Sequence, residues 1–269
     1  MFSKIIVHAG IFHCDDVLTV AMAKYINPNV EIERVYEVNG DLCDDVIVAD
    51  IGYGRYDHHQ NDAQLREDGN KYAACGLFFK DYWHHIFQSE NSARGFYEYF
   101  IKPIEDNDNG LKRDTLSMFV KSFVPLDANE TKLHDAFLKV VDMMVQFIDS
   151  QVEKEKAKLE SKAYIKESLK QSQNHIVVLE KLVPWKDQLI YSDAKYVIYP
   201  SLRGGWNLQC VPQIPGNYEV KEKLPERWLF DKPKGCIFVH NMLFLASFHS
   251  FHDAYQAIIK ERQQNRLSR

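Results

Sequence analysis

Residues 4–25, KIIVHAGIFHCDDVLTVAMAKY, carry the pattern that decides the fold. The apolar run Lys4–Val7 predicts a short buried strand that ends at His8. Val17–Tyr25 then has apolar residues at helical spacing, so a helix should follow the strand after a short polar turn. A buried strand, a polar turn and a helix in this order are typical of the first unit of an α/β protein.

The next apolar runs extend this pattern into a sheet. Ile32–Val38 alternates like a strand, and Asp45–Ala49 predicts another buried strand that ends at Asp50. The order of strands and helices predicts an α/β fold with a mainly parallel sheet in the N-terminal lobe. In open α/β sheets, ligands bind beyond the carboxyl ends of the strands, which is where His8 and Asp50 stand.

A helical stretch follows, because residues 129–173 contain neither Gly nor Pro. They predict one long helix or two consecutive helices. An apolar stripe from Leu133 to Val152 could pack on its own lobe or on a second subunit, which leaves a homo-oligomer possible. The mostly charged part, Glu153–Lys170, predicts a solvated face or a bridge between lobes rather than core.

A second α/β lobe should begin near His175. Strands are predicted over Ile176–Leu179, Tyr196–Tyr199 and Cys236–Val239, with a tight turn at Gly204-Gly205 and a terminal helix. We therefore predict a two-lobe architecture in three segments, namely a metal-binding lobe (1–128), a helical connection (129–174) and a smaller C-terminal lobe (175–269).

Composition restricts the partners and the compartment. The 269 residues are 45% hydrophobic, and 38 acidic residues against 33 basic ones give a net charge of -5. No global positive field would hold nucleic acid or an anionic membrane, so an anionic substrate should be bound locally. The five cysteines include no C-x-x-C pair, and the apolar run at residues 5–7 is too short for a signal peptide. We expect a cytoplasmic protein without membrane contact.

Histidines and aspartates gather after the predicted strands, at His8, His13, Asp15, Asp16, Asp50, Asp57, His58 and His59. Each has a structural alternative: Asp15 could cap the helix, and Asp57-His58-His59 could be a surface turn. Together they would repel one another unless a cation neutralised them. Mixed His and Asp ligands suit Mn²⁺, which we expect, or Fe²⁺, Co²⁺ and Zn²⁺, while Mg²⁺ is a further alternative.

Three motifs carry a resemblance to a known family. They are H-x-G-x-F-H-x-D-D at 8–16, D-x-G at 50–52 and D-H-H-Q at 57–60. With G-G-W-N-L-Q-C-V-P at 204–212 and L-P-E-R-W at 224–228, the chain resembles the MYG1 family of the DHH phosphoesterase superfamily over nearly its whole length.

The resemblance implies a hydrolase whose N-terminal lobe binds two divalent metal ions and whose C-terminal lobe closes over the substrate. MYG1 proteins are linked to 3′-to-5′ exonuclease activity on RNA. In our hypothesis, two ions share Asp50 and activate water for an in-line displacement. The expected ligands are His8, His13 and Asp50 for one ion, and Asp15, Asp50, His58 and Asp108 for the other.

The remaining expected site residues would act on the substrate. His59 should hydrogen-bond a phosphate oxygen, and Asp57 should orient an imidazole, which completes a catalytic set with Asp50. In the C-terminal lobe, the expected substrate contacts are Arg203, Gly204, Gly205, His240 and His249. Arg203 could instead form a surface salt bridge, and His240 could be purely structural.

The chain departs from the family pattern at several positions. His13 stands where the superfamily usually has aspartate, and Glu105 stands where an aspartate is more usual in the family. Ala246–His249 replaces a glycine-rich turn that such proteins use to approach substrate, and we expect Phe248 to crowd this region.

These observations favour a 3′-to-5′ exonuclease acting on RNA or short oligonucleotides. A hydrolase of a small nucleotide or polyphosphate and a non-catalytic nucleotide-binding relative remain alternatives. A metal-dependent peptidase ranks lower, because no H-E-x-x-H motif is present.

Overall fold

The computed structural model divides into two compact units, an N-terminal unit Met1–Glu155 and a C-terminal unit Lys156–Arg269. The division falls within the longest helix of the chain. The three segments 1–128, 129–174 and 175–269 stay a prediction. The residues that the structure describes are 2–40, 42–127, 129–216 and 219–267.

The N-terminal unit combines three strands with six helices, the last of which continues into the C-terminal unit. In chain order these are β1 (Lys4–His8), α1 (Cys14–Ile26), β2 (Glu31–Val35), β3 (Val46–Val48), α2 (Ala74–Tyr82), α3 (Glu90–Phe96), α4 (Lys102–Asp108), α5 (Thr115–Lys121) and α6 (Glu130–Lys170). A 3₁₀ turn (Trp83–His85) follows α2, and a π-helical turn (Tyr97–Ile101) joins α3 to α4.

The sheet of this unit is parallel, with the strand order β2-β1-β3. Lys4 of β1 pairs with Glu31 on one side and with Val46 on the other. The central strand is apolar and buried, and α1 packs in the same core. The carboxyl end of β1, at His8, therefore lies between the ends of its two neighbours. The predicted α/β fold with a mainly parallel sheet is confirmed.

Two strands end earlier than their apolar patterns predict. β2 stops at Val35, and β3 stops at Val48, two residues before Asp50. Asp50 has a φ of 57°, in the left-handed region, which a regular strand does not accommodate. The chain therefore leaves the extended conformation of β3 at Asp50.

Helix α6 is one continuous helix, and its apolar stripe is covered by its own unit. Phe137, Val140, Val141 and Met144 are buried in the core around β1 and α1. The charged part of α6 is exposed at most positions, as a solvated face would be, but it also contributes one buried residue to a core. Ile165 is fully buried, since it packs in a core of the C-terminal unit that includes Val177, Leu179 and Trp185.

The C-terminal unit contains a mixed five-stranded sheet in the order β4-β5-β6-β8-β7. Only β4 and β5 are parallel, and the other neighbours are antiparallel. Its elements are β4 (Ile176–Val178), α7 (Lys186–Leu189), β5 (Tyr196–Pro200), β6 (Trp206–Cys210), β7 (Cys236–Val239), β8 (Leu245–Phe248) and α8 (Phe251–Leu267), with a 3₁₀ turn at Glu226–Leu229.

The segment expected to replace a glycine-rich substrate turn is largely strand β8. Phe248 is fully buried and packs in the core with Trp228, so the expectation that its side chain crowds the substrate is wrong. Antiparallel pairing of Trp206 with Phe248 fixes this position. A Cβ at Gly205 would lie 2.2 Å from the Phe248 carbonyl oxygen, which explains the glycine there.

Among the described residues, no helix combines the length and the apolar character needed to cross a membrane.

Candidate metal centre

The carboxyl edge of the parallel sheet brings His8 and Asp50 together. The His8 Nε2 atom lies 3.2 Å from Asp50 Oδ2. On the other side of the same ring, Nδ1 lies 2.9 Å from the Ala9 carbonyl oxygen. Because a carbonyl oxygen only accepts hydrogen bonds, this contact places a proton on Nδ1. It leaves Nε2 as the atom that can ligate a metal.

The first turn of α1 contributes His13 and Asp16. One carboxylate oxygen of Asp16 accepts hydrogen bonds from the backbone N–H groups of His13 (2.8 Å) and Val17 (2.9 Å). The other oxygen lies 3.2 Å from His8 Nε2. Asp16 was not among the ligands predicted from the sequence. Its position three residues after His13 could have indicated that the two side chains lie on the same face of the helix.

Asp15 points to the opposite side and is fully buried. Its two oxygens accept hydrogen bonds from the backbone N–H groups of Ala74 (3.0 Å) and Cys75 (2.7 Å). These groups belong to the first turn of α2, where unpaired N–H groups favour a negative charge. Each carboxylate oxygen retains a lone pair for a cation.

The D-H-H motif places two histidines with different partners. His58 Nε2 lies 3.2 Å from Asp50 Oδ1 and 3.1 Å from Asp108 Oδ2. His59 donates from Nδ1 to Asp57 Oδ1 at 2.6 Å. Asp57 therefore contacts the imidazole of His59 and not that of His58, and its other oxygen accepts the Tyr53 backbone N–H at 2.7 Å.

Three groups of side chains could each hold a metal ion, since one candidate ligand atom from every member lies within 4.8 Å of the others. The groups are His8, His13 and Asp50; Asp15, His58 and Asp108; and Asp50, His58 and His59. The structure therefore brings all six expected ligands close together, with Asp50 between the first two groups. Their role as ligands stays a prediction.

The donor atoms fit a cation. Asp50 Oδ1, His58 Nε2 and Asp16 Oδ2 are buried, and none has a hydrogen-bond partner among the described residues. Burial, together with the nearby charges of Asp50 and Asp108, raises the pKa of Asp15 well above its usual value. Buried polar atoms are normally paired, and clustered carboxylates repel, so a positive ion would satisfy both requirements.

The carboxylates around His8 and His58 favour the protonated form of both imidazoles. Burial lowers the pKa of His8, but the nearby carboxylates of Asp16 and Asp50 outweigh this effect and raise it to about 11. Burial also lowers the pKa of His58, but the nearby carboxylates of Asp108 and Asp50 outweigh this effect and raise it to about 10. Each imidazolium supplies positive charge to the carboxylates around it.

The candidate centre opens into a cavity of about 1160 Å³. Besides the predicted histidines and aspartates, the walls include side chains and backbone that the sequence analysis did not assign. These are Ile11, Tyr36, Tyr53, Lys71, Asn109 and Gly110, among others. Lys71 donates to the carbonyl oxygens of His58 (3.4 Å) and Gln60 (3.2 Å), so it supports the D-H-H loop.

The expected substrate contacts of the C-terminal unit lie at its β-turns and strand ends. Arg203 and Gly204 are exposed in the turn between β5 and β6, and His249 is exposed after β8. His240 is partly buried, and its Nδ1 accepts the Met242 backbone N–H at 3.1 Å, a structural contact. Contact of these residues with a substrate stays a prediction.

Comparison with known proteins assigns the chain to a family. The MYG1 family model, described as an uncharacterised protein family (UPF0160), matches residues 4–260. The chain is 27% identical over 307 residues to the MYG1 exonuclease of Rattus norvegicus, covering 90% of this chain and 80% of the relative. It is 26% identical over 302 residues to the Homo sapiens MYG1 exonuclease (88% and 80%).

A MYG1 protein of Schizosaccharomyces pombe is 26% identical over 312 residues, which cover 94% of this chain and 95% of the relative. No solved structure gave a significant match. Because the family model extends over nearly the whole sequence, the chain belongs to the MYG1 family.

Proposed function

We propose that this chain is a metal-dependent phosphodiesterase that removes nucleotides from the 3′ end of RNA or of short oligonucleotides. The relatives named MYG1 exonuclease support a nuclease. The single observation that carries the proposal is the position of Asp50, whose two oxygens each lie 3.2 Å from a different imidazole nitrogen. A carboxylate so placed can serve two ions at once.

The ligand sets follow from this position. His8, His13 and Asp50 would hold one ion, and Asp15, His58 and Asp108 would hold the other. Asp50 would join the second set through Oδ1, which lies 3.2 Å from His58 Nε2. We expect Mn²⁺, because the donors mix imidazole nitrogen with carboxylate oxygen. Two divalent ions bound there supply Lewis acidity toward the phosphate and lower the pKa of water for in-line attack.

The chain's own residues orient these groups and the substrate. Asp57 fixes Nδ1 of His59, whose ring is 56% exposed in the cavity, and leaves Nε2 for a phosphate oxygen. Asp16 carries a further negative charge beside His8. In the C-terminal unit, we propose that Arg203, Gly204, Gly205, His240 and His249 contact the substrate.

Charge limits the mode of binding. A net charge of -5 gives little electrostatic attraction along a polynucleotide backbone, so we propose binding of one strand end in the cavity rather than tracking along a duplex. We expect the protein to act in the cytoplasm, and we leave a homo-oligomer as a possible assembly.

A time course with Mn²⁺ and a 5′-labelled RNA of about twenty nucleotides tests the proposal. We expect a ladder that shortens from the 3′ end and disappears when a chelator removes the metal. Rapid internal cutting, or shortening without metal, would contradict it. The cavity volume also suits a second candidate, a small nucleotide or polyphosphate hydrolase. Cleavage of these compounds without any cleavage of RNA would favour that candidate.

A further inference from the structure

Two exposed tyrosines line the cavity of the candidate metal centre. Tyr36 is 71% exposed and Tyr53 is 74% exposed, and both rings lie in the walls that also contain His8, Asp50 and His59. Phosphate hydrolysis by metal ions needs carboxylates and imidazoles, but it makes no use of aromatic rings. Aromatic rings left open to solvent beside such a centre therefore require a separate explanation.

The two tyrosines come from segments that follow different strands of the parallel sheet. Tyr36 directly follows β2, whereas Tyr53 lies in the turn after β3. The strand between them is β1, which ends at His8. The two segments approach each other closely, because a Cβ at Gly52 would lie 3.2 Å from the Val38 side chain. A nucleotide whose phosphate is held at His8 and Asp50 would therefore have both tyrosines in the walls around it.

The backbone of Tyr53 is held in an unfavourable conformation. Its φ is 55°, in the left-handed region that bulky residues rarely adopt. The Tyr53 N–H donates to Asp57 Oδ2, and the other oxygen of Asp57 holds His59. One carboxylate therefore holds both the Tyr53 backbone and the imidazole expected at the phosphate. Backbone strain of this kind is concentrated at functional sites in proteins.

Tyr36 is fixed by its hydroxyl group. The hydroxyl hydrogen-bonds Glu130 at the start of α6. Its ring covers Gly10, because a Cβ at that glycine would lie 3.5 Å from a ring carbon of Tyr36. The ring is thus anchored at its edge while most of its surface remains exposed. A rigid ring with an open face loses little entropy when a planar ligand stacks on it.

We propose that Tyr36 and Tyr53 are stacking platforms for the bases of the nucleotides next to the scissile phosphodiester. The proposal rests on the phosphodiesterase function above and specifies its substrate class as nucleotides rather than inorganic polyphosphate. Aromatic rings stack on any base, so binding would tolerate all sequences. Stacking would also provide the affinity that an acidic protein cannot obtain from many backbone contacts.

Fluorescence quenching tests the stacking without turnover. The probe is a dinucleotide with 2-aminopurine at both positions and a hydrolysis-resistant phosphorothioate linkage. We expect the wild-type chain to quench its fluorescence. Tyr53→Ala and Tyr36→Ala should each weaken binding about tenfold, equivalent to about 1.4 kcal/mol. Tyr53→Phe should bind like the wild type, because it keeps the ring.

Tyr99→Ala provides the matched control, since Tyr99 is 71% exposed in the same unit but is absent from the cavity walls. It should bind the probe like the wild type. Equal quenching by the wild type, Tyr36→Ala and Tyr53→Ala would overturn the proposal, as would an equal loss in Tyr99→Ala.

A second experiment separates the stacking from the proposed function. The wild-type chain is given Mn²⁺ with a dinucleotide and with its analogue that lacks both bases. Preference for the dinucleotide, lost in Tyr53→Ala, supports both claims. Equal cleavage of the two compounds overturns the stacking but keeps the phosphodiesterase. Tyrosine-dependent quenching without cleavage of either compound keeps the stacking and overturns the phosphodiesterase.

Discussion

Asp50 Oδ1 and His58 Nε2 lie 3.2 Å apart, and neither atom has a hydrogen-bond partner among the described residues. Both atoms are buried, and the backbone of Asp50 itself has a left-handed conformation. Because unpaired buried polar atoms are costly, their approach indicates a place for a cation rather than an accident of packing.

Replacing Asp50 with Asn should abolish hydrolysis and leave the fold intact. Asn keeps the shape and tolerates the left-handed backbone, but it removes the charge that both ion sites share. We expect activity to fall by more than about a hundredfold, the upper loss typical of residues that only support metal ligands. Circular dichroism should match the wild type. Undiminished turnover would show that Asp50 does not bind two metal ions at once.

Asp16→Asn should weaken metal binding at the His8 side of the centre. The Asn oxygen can still accept the His13 N–H and preserve the start of α1, but the negative charge beside His8 is lost. We expect a loss of about tenfold in Mn²⁺ affinity by titration calorimetry. Asp44→Asn, an exposed change outside the centre, is the control. Identical affinities in the two variants would exclude Asp16 from the site.

Arg66→Met should destabilise the N-terminal unit. The Arg66 guanidinium is buried and contacts Glu105 at 3.0 Å and Asp106 at 2.5 Å. Removing one partner of a buried ion pair costs about 3–5 kcal/mol, because the remaining charge is left unpaired. Chemical denaturation measures this loss. Arg55→Met, which breaks the exposed pair with Asp81, should change stability by less than about 1 kcal/mol.

The same network shows what the sequence alone could not supply. The Glu105 side chain contacts Arg66, the Tyr97 hydroxyl and the Ala73 N–H. These partners lie up to 39 residues away, so no local pattern reveals them. Burial raises the pKa of Glu105, because it disfavours the charged carboxylate. The ion pair with Arg66 offsets the cost of burying this charge.

The positions of His8 and Asp50 were predictable because polar residues directly follow apolar strands, whereas His58 was predicted from the D-H-H motif. Asp108 came only from the family resemblance. Phe248 was misinterpreted, because the pairing of β8 with β6 joins segments about forty residues apart and turns an apparent substrate loop into core. Asp16 was noted in the polar cluster, and its place in the helical turn of His13 was a signal, but the sequence does not show that this turn faces His8.

Stability of the C-terminal unit should depend on pH through Glu222. Burial raises the pKa of this carboxyl, but hydrogen bonds from Lys195 and Tyr196 outweigh it, so the net shift is downward. Because the pKa of Glu222 is lower in the folded state, its contribution to the free energy of unfolding is complete above the unfolded pKa of about 4.3. This contribution is lost as the pH falls through the lower pKa of the folded state.

Comparison of the wild type with Glu222→Gln checks this sign. Tryptophan fluorescence follows the unfolding, because three of the four tryptophans lie in the C-terminal unit. The wild type should be more stable at neutral pH, and the difference should shrink below about pH 4. A difference that grows on acidification would contradict the assignment.

The most direct test of the metal centre is an anomalous difference map from crystals of this chain grown with Mn²⁺. We predict two peaks that share Asp50, one also contacting His8 and His13, and the other contacting Asp15, His58 and Asp108. Asp50→Asn crystals should lose or weaken both peaks together. Peaks elsewhere on the chain, or an ordered Asp50 with no ion beside it at saturating Mn²⁺, would contradict the account.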